Sequence, residues 1–206
     1  MRKGHYIALG LVAVLLLAVS LGLWQFQQRT DPGAEEPPGG EIALPSTQGE
    51  FVLSALDEDQ LAVLYFGYTY CPDICPLSLS VMRQAMSRLG PERAERIVPV
   101  LISVDPARDS LARLEQYVGF FGDDFLGVRG SEEQLNDVAK RYGVVWRKVS
   151  SGPADDDYTV DHTSSLFVVD REGEIRQRVL YSPTPQALTA ALEMELAEQE
   201  GAGNDG

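Results

Sequence analysis

The sequence predicts an α/β sandwich with a mixed central β-sheet, carried behind a hydrophobic N-terminal segment. Three observations point to it. Two continuous apolar runs, residues 61–66 and 97–104, have the length and two-sided hydrophobicity of buried parallel strands. Each is followed by a stretch whose apolar residues fall at helical spacing. Further on, two short strand-like runs at 166–169 and 175–180 flank the polar turn Asp170-Arg171-Glu172-Gly173-Glu174, the pattern of a hairpin.

In chain order, Met1-Arg2-Lys3-Gly4-His5 is a short basic head, and residues 6–24 are apolar apart from Gly10, Ser20 and Gly22. At 1.5 Å per residue that run is roughly 28 Å of helix, close to the hydrocarbon thickness of a bilayer. Tyr6 and Trp24 suit its two interfaces, and the basic head stays on the cytoplasmic side. Residues 1–29 are therefore read as a single transmembrane helix in a bacterial inner membrane, with the remainder periplasmic. A cleaved signal peptide ending near Ala18-Val19-Ser20 is the alternative; the apolar run continues past that point through Trp24, which favours an anchor. Residues 30–40 are a Pro/Gly linker, 41–198 one folded domain, and 199–206 a Gly/Asn/Asp tail expected to be disordered.

Within the domain, residues 41–53 read as two short strands around Ser46-Thr47-Gln48-Gly49. The run 61–66 leads into Cys71 and Cys75. A helix follows, with Leu77, Val81, Met82, Ala85, Met86 and Leu89 on one face and Gly90-Pro91 as its stop. Pro76 suits a first helical position, making Cys75 the N-cap. After the strand 97–104, Asp105 and Asp109 are expected to fix a turn at Pro106 and cap the helix outlined by Leu111, Leu114, Tyr117, Val118 and Phe121. A short strand at 125–128 precedes a helix opened by the capping pattern Ser131-Glu132-Glu133-Gln134 and closed by Gly143. Residues 144–149 are strand-like, 150–158 form a polar loop, and a last helix covers 185–198.

The formal net charge is −14, and three of the cations (Arg2, Lys3 and Arg29) lie in the first thirty residues with no acid among them. A domain this acidic has no basic face for nucleic acid. The chain holds two cysteines. A bridge between positions four apart closes too small a loop to restrain the unfolded chain much, which argues against a structural disulfide. Redox chemistry and metal binding remain.

Cys71 and Cys75 sit where an apolar strand hands over to a helix, at the carboxyl edge of the sheet, where ligands bind in folds of this class. A helix N-terminus favours thiolate. Two thiolates make a redox pair or a soft half-site for Cu(I) or Zn(II). The chain has two histidines, His5 in the basic head and His162 just before the strand at 166. The loop before that strand faces the cysteine helix in such sheets, so His162 is the candidate third ligand of a trigonal site. Asp73, between the cysteines, and Asp161, beside the histidine, are candidates to orient the ligands, or equally turn and cap residues.

Three blocks taken in order, Tyr65-Phe66-Gly67-Tyr68-Thr69-Tyr70-Cys71-Pro72-Asp73-Ile74-Cys75-Pro76, Ile102-Ser103-Val104-Asp105-Pro106-Ala107-Arg108-Asp109 and Tyr158-Thr159-Val160-Asp161-His162, resemble the successive signatures of the SCO/SenC family. Thr163 departs conservatively from the Ser or Ala expected there. The resemblance implies a thioredoxin-like domain with an N-terminal β-hairpin, copper as Cu(I) or Cu(II) held by Cys71, Cys75 and His162, and delivery to the binuclear copper centre of cytochrome c oxidase subunit II or another copper acceptor. It also implies a copper donor and a thiol reductant in the same compartment. The alternative from the same residues is a thiol–disulfide oxidoreductase using Cys71 and Cys75 on the acceptor's cysteines.

Overall fold

In the computed structural model the described residues are 37–154 and 157–203, with 17 and 19–21. The chain divides into two compact units, Met1–Glu36 and Pro37–Gly206. The expected anchor at 6–24 and the linker up to residue 36 lie outside the described residues except for 17 and 19–21, which are helical. Among the described residues no helix is long and apolar enough to cross a membrane.

The second unit is built on a seven-stranded sheet in the order β2-β1-β5-β4-β3-β8-β9. Its centre is β3 (Leu61–Gly67) paired in parallel with β4 (Ile97–Ser103), the two runs predicted to be buried. Every residue of β3 is buried, so the strand has no polar face to alternate with. β4 pairs in parallel with β5 (Leu126–Val128), while β3 pairs antiparallel with β8 (Leu166–Val169), and β8 with β9 (Ile175–Val179). The sheet is therefore mixed, as its element order required. The N-terminal hairpin, β1 (Ala43–Ser46) and β2 (Gly49–Val52), joins the far edge at Ser46 and Val128.

Helices pack on this sheet: α1 (Ile74–Leu89), the one-turn α2 (Pro91–Ala94), α3 (Leu111–Val118), α4 (Glu132–Arg141) and α5 (Gln186–Gly203). α1 buries Leu79, Val81, Met82, Ala85 and Met86, so its methionines fill core. The capping box foreseen at Ser131 and Gln134 is present in both directions. α5 buries Leu188, Ala191, Leu192 and Leu196 and runs further than expected. Arg93 and Arg96 bind Glu200, and Arg96 also binds Gln199, which holds residues 199 and 200 in the helix rather than in a tail.

Two elements differ from expectation near the cysteines. α1 begins at Ile74 with Asp73 as N-cap, so Cys75 and Pro76 lie inside its first turn. There the missing proline N–H costs nothing, because the first N–H groups of a helix have no partner within it. The polar loop after 150 ends earlier than expected, because residues Tyr158–His162 form a strand, β7, paired antiparallel with β6 (Trp146–Ser150). This two-stranded ribbon is separate from the main sheet. Tyr158, Val160 and His162 turn inward, whereas Thr159 and Asp161 are exposed. That period of two was visible in the sequence, but a polar, five-residue run is a weak strand signal.

Candidate metal centre

The site forms where the carboxyl end of β3, the first turn of α1 and the end of β7 meet. Gly67 ends β3. A Cβ there would lie 3.1 Å from Cys75 Sγ and 2.8 Å from the Tyr65 ring, so glycine lets the thiol pack directly against the strand. The chain then crosses the edge of the sheet to Cys71 and enters α1. Cys75 is fully buried, Cys71 is 9% exposed, and both are free thiols.

The ligand atoms of Cys71, Cys75 and His162 all lie within 4.8 Å of one another, the one such group among the described residues. Cys75 Sγ is 3.4 Å from His162 Nε2. His162 Nδ1 is 3.0 Å from the Thr163 carbonyl, which can only accept, so the ring carries its proton on Nδ1 and turns the Nε2 lone pair to the thiols. The edges of Tyr65 and Tyr68 close on the imidazole, each ring centroid 5.9 Å away at near-perpendicular angles.

The two thiols share one proton. Hydrogen bonding from the Cys75 thiol holds the Cys71 thiolate down to about 4, against the opposing effect of burial and with help from the backbone N–H groups of Asp73 and Cys75. The Cys75 N–H lies 3.4 Å from Cys71 Sγ. The same bond pushes the Cys75 thiol well above its ordinary range, and burial adds to it. Burial likewise pushes the Tyr65 hydroxyl up. The metal-free pair is therefore one thiolate and one thiol, ready to become two soft donors beside one nitrogen.

The two aspartates proposed to orient ligands do not do so through their carboxylates. Asp161 faces away from the imidazole and pairs with Arg147 across the ribbon at 2.9 Å. Asp73 is exposed and its side chain makes no capping bond; only its N–H reaches Cys71. The aspartates read as turn and cap residues reach further than expected. Asp109 is fully buried and accepts from the Thr69 N–H (3.1 Å), the Thr69 hydroxyl (2.6 Å) and the Ser103 hydroxyl (2.7 Å), while Ser110 caps α3. Asp105, also buried, closes the turn through its carbonyl and accepts from Arg108 Nε and from the Tyr158 hydroxyl at 2.7 Å. No short-range signal in the sequence marks Tyr158, 53 residues away, as the partner of Asp105.

A family model described as SCO1/SenC matches residues 30–197. The chain belongs to the SCO1/SenC family. An SCO2-like protein of Rickettsia conorii is 32% identical over 157 residues, 76% of each chain. Among solved structures, Arabidopsis thaliana ScoI with copper bound aligns at a TM-score of 0.69 and 31% identity, over 78% of this chain and 99% of that one. Bradyrhizobium japonicum ScoI with copper bound aligns at 0.65 and 31%, over 76% and 98%. The family fold is the one described above, a thioredoxin-like α/β sandwich with a mixed central sheet.

Proposed function

We propose that this SCO1/SenC chain is a copper metallochaperone, holding one copper ion between Cys71 Sγ, Cys75 Sγ and His162 Nε2. The observation that carries the reading is the convergence of these three ligand atoms within 4.8 Å, two of them sulfur, with the imidazole proton parked on the far nitrogen. A soft sulfur-rich trio selects copper or zinc over hard cations, and relatives solved with copper bound favour copper. Copper is cargo here: it enters as the reduced pair gives up the proton it holds and leaves by stepwise ligand exchange with an acceptor of similar softness. The acceptor in this reading is the binuclear centre of cytochrome c oxidase subunit II. The N-terminal segment tethers the domain on the periplasmic face of the membrane, where a reductant keeps the thiols open.

The test is copper binding by the reduced full-length protein, measured by competition with a chromophoric chelator. One equivalent is expected. Cys71→Ser is expected to abolish tight binding, and His162→Ala to weaken it and alter the spectrum of the Cu(II) form. Wild-type affinity in Cys71→Ser would overturn the reading.

A second reading, thiol–disulfide exchange with the acceptor's cysteines by the same pair, has a nucleophile already ionised at neutral pH in Cys71, held down to about 4; the same depression stabilises the reduced pair, which weighs against it as a net reductant. Turnover of an acceptor disulfide in the absence of copper separates the two.

A further inference from the structure

The cysteines and the histidine reach the site on separate supports. Cys71 and Cys75 belong to the loop and helix that continue β3, inside the main sheet's framework. His162 ends β7, in a ribbon with no ladder to that sheet. Between the loop at Tyr68–Ile74 and the strand at Thr159–His162 lies an open groove of about 390 Å³. Residues 163–165 tie His162 to β8, whose Leu166 pairs with Tyr65 of β3, and the bonds made further along β7 set how the rest of the strand lies.

β7 is bonded to the main body at two of its inward residues. The Val160 N–H donates to the Tyr68 hydroxyl at 3.2 Å. Tyr158 is gripped on every side: its hydroxyl donates to Asp105, its carbonyl accepts from Arg108 Nη1 at 2.9 Å, and the Arg108 guanidinium lies over its ring at 3.6 Å. Arg108 Nε in turn binds Asp105, closing the circuit. Asp105 is fully buried, so its charge is held by these donors rather than by water. The same turn supports the other arm, since Asp109 accepts both bonds from Thr69, two residues before Cys71.

We propose that Asp105 and Arg108 are positioning residues for His162: by clamping Tyr158 they fix the register of β7 and hence where the imidazole stands relative to the two thiols. They act through the strand, and the Arg108 guanidinium also lies 4.8 Å from the Tyr70 ring in the cysteine loop. Asp109 does the corresponding task for the cysteine loop, so one turn of five residues references both halves of the site.

The role assigned to Arg108 rests on the copper reading, and a metal-free measurement comes first for that reason. In the reduced, metal-free protein, NMR contacts of the His162 ring protons with the Tyr65 and Tyr68 rings are expected in the wild type and lost in Arg108→Ala. Their persistence in Arg108→Ala would overturn the clamp whether or not the protein binds copper. Copper affinity is then measured in a cycle of Arg108→Ala, His162→Ala and the double variant. Arg108→Ala is expected to weaken binding about 10- to 100-fold, the usual effect of losing a group that orients a ligand. The double variant is expected to lose less than the sum of the two single losses, because the clamp acts mainly through that ligand, with a smaller part through the Arg108–Tyr70 contact at 4.8 Å. Fully additive losses would mean that Arg108 acts independently of His162 and would overturn the proposal. Arg108→Lys keeps the charge but cannot bond Asp105 and the Tyr158 carbonyl together, and is expected not to rescue. Should Arg108→Ala fail to fold, Tyr158→Phe carries the same measurements and the same criteria, with a smaller expected loss.

Discussion

The two thiols differ because they share a proton in a place with little water. Cys71 is held down to about 4 and Cys75 well up, so near pH 7.5 one proton resides on the pair. Binding copper between both sulfurs displaces that proton. Uptake of one copper ion in weak buffer with an indicator dye is therefore expected to release about one proton; two would show that both thiols are protonated beforehand. The depressed Cys71 also links to stability. Its contribution to the reduced protein is fully present above the unfolded thiol pKa, near 8.5, and is lost as pH falls toward 4. Residue identity at the site was legible because cysteines and histidines are few and chemically distinctive. The roles of Asp73 and Asp161 were not, since adjacency in sequence says nothing about which side of a strand or cap a carboxylate faces.

At the scale of elements, the site depends on how closely α1 can approach the end of β3. Gly67 permits that approach, and the Cys75 sulfur occupies the space a side chain would need. Gly67→Ala is expected to destabilise the protein by about 1–3 kcal/mol, as overpacking does, and to weaken copper binding by moving the Cys75 thiol. Both are read from thermal melts and chelator competition; an unchanged melt and affinity would show that the strand and helix have room to spare. The central strands and the helices were readable because continuous apolar runs and helical periodicity survive in any context. β7 escaped because a five-residue strand that buries one valine and half-buries a tyrosine and a histidine carries little hydrophobic pattern. The far end of α5 escaped because its hold on residues 199 and 200 comes from Arg93 and Arg96, a hundred residues earlier in the chain.

For the molecule as a whole, the ribbon bearing His162 is fastened by side chains and by its short link to β8, while the strand leading to the cysteines is fastened within a seven-stranded ladder. The two must then open at different free energies. Backbone amides of β7 are expected to exchange with solvent deuterium through a local excursion, well before those of β3 and β4, which exchange only when the whole unit unfolds. Equal protection in β7 and β3 would contradict this. The consequence concerns leaving rather than holding. An ion bound by three donors can give up the nitrogen first, through a small excursion of one ribbon, and leave the two sulfurs for exchange with an acceptor, so the first step of release does not require the core to open.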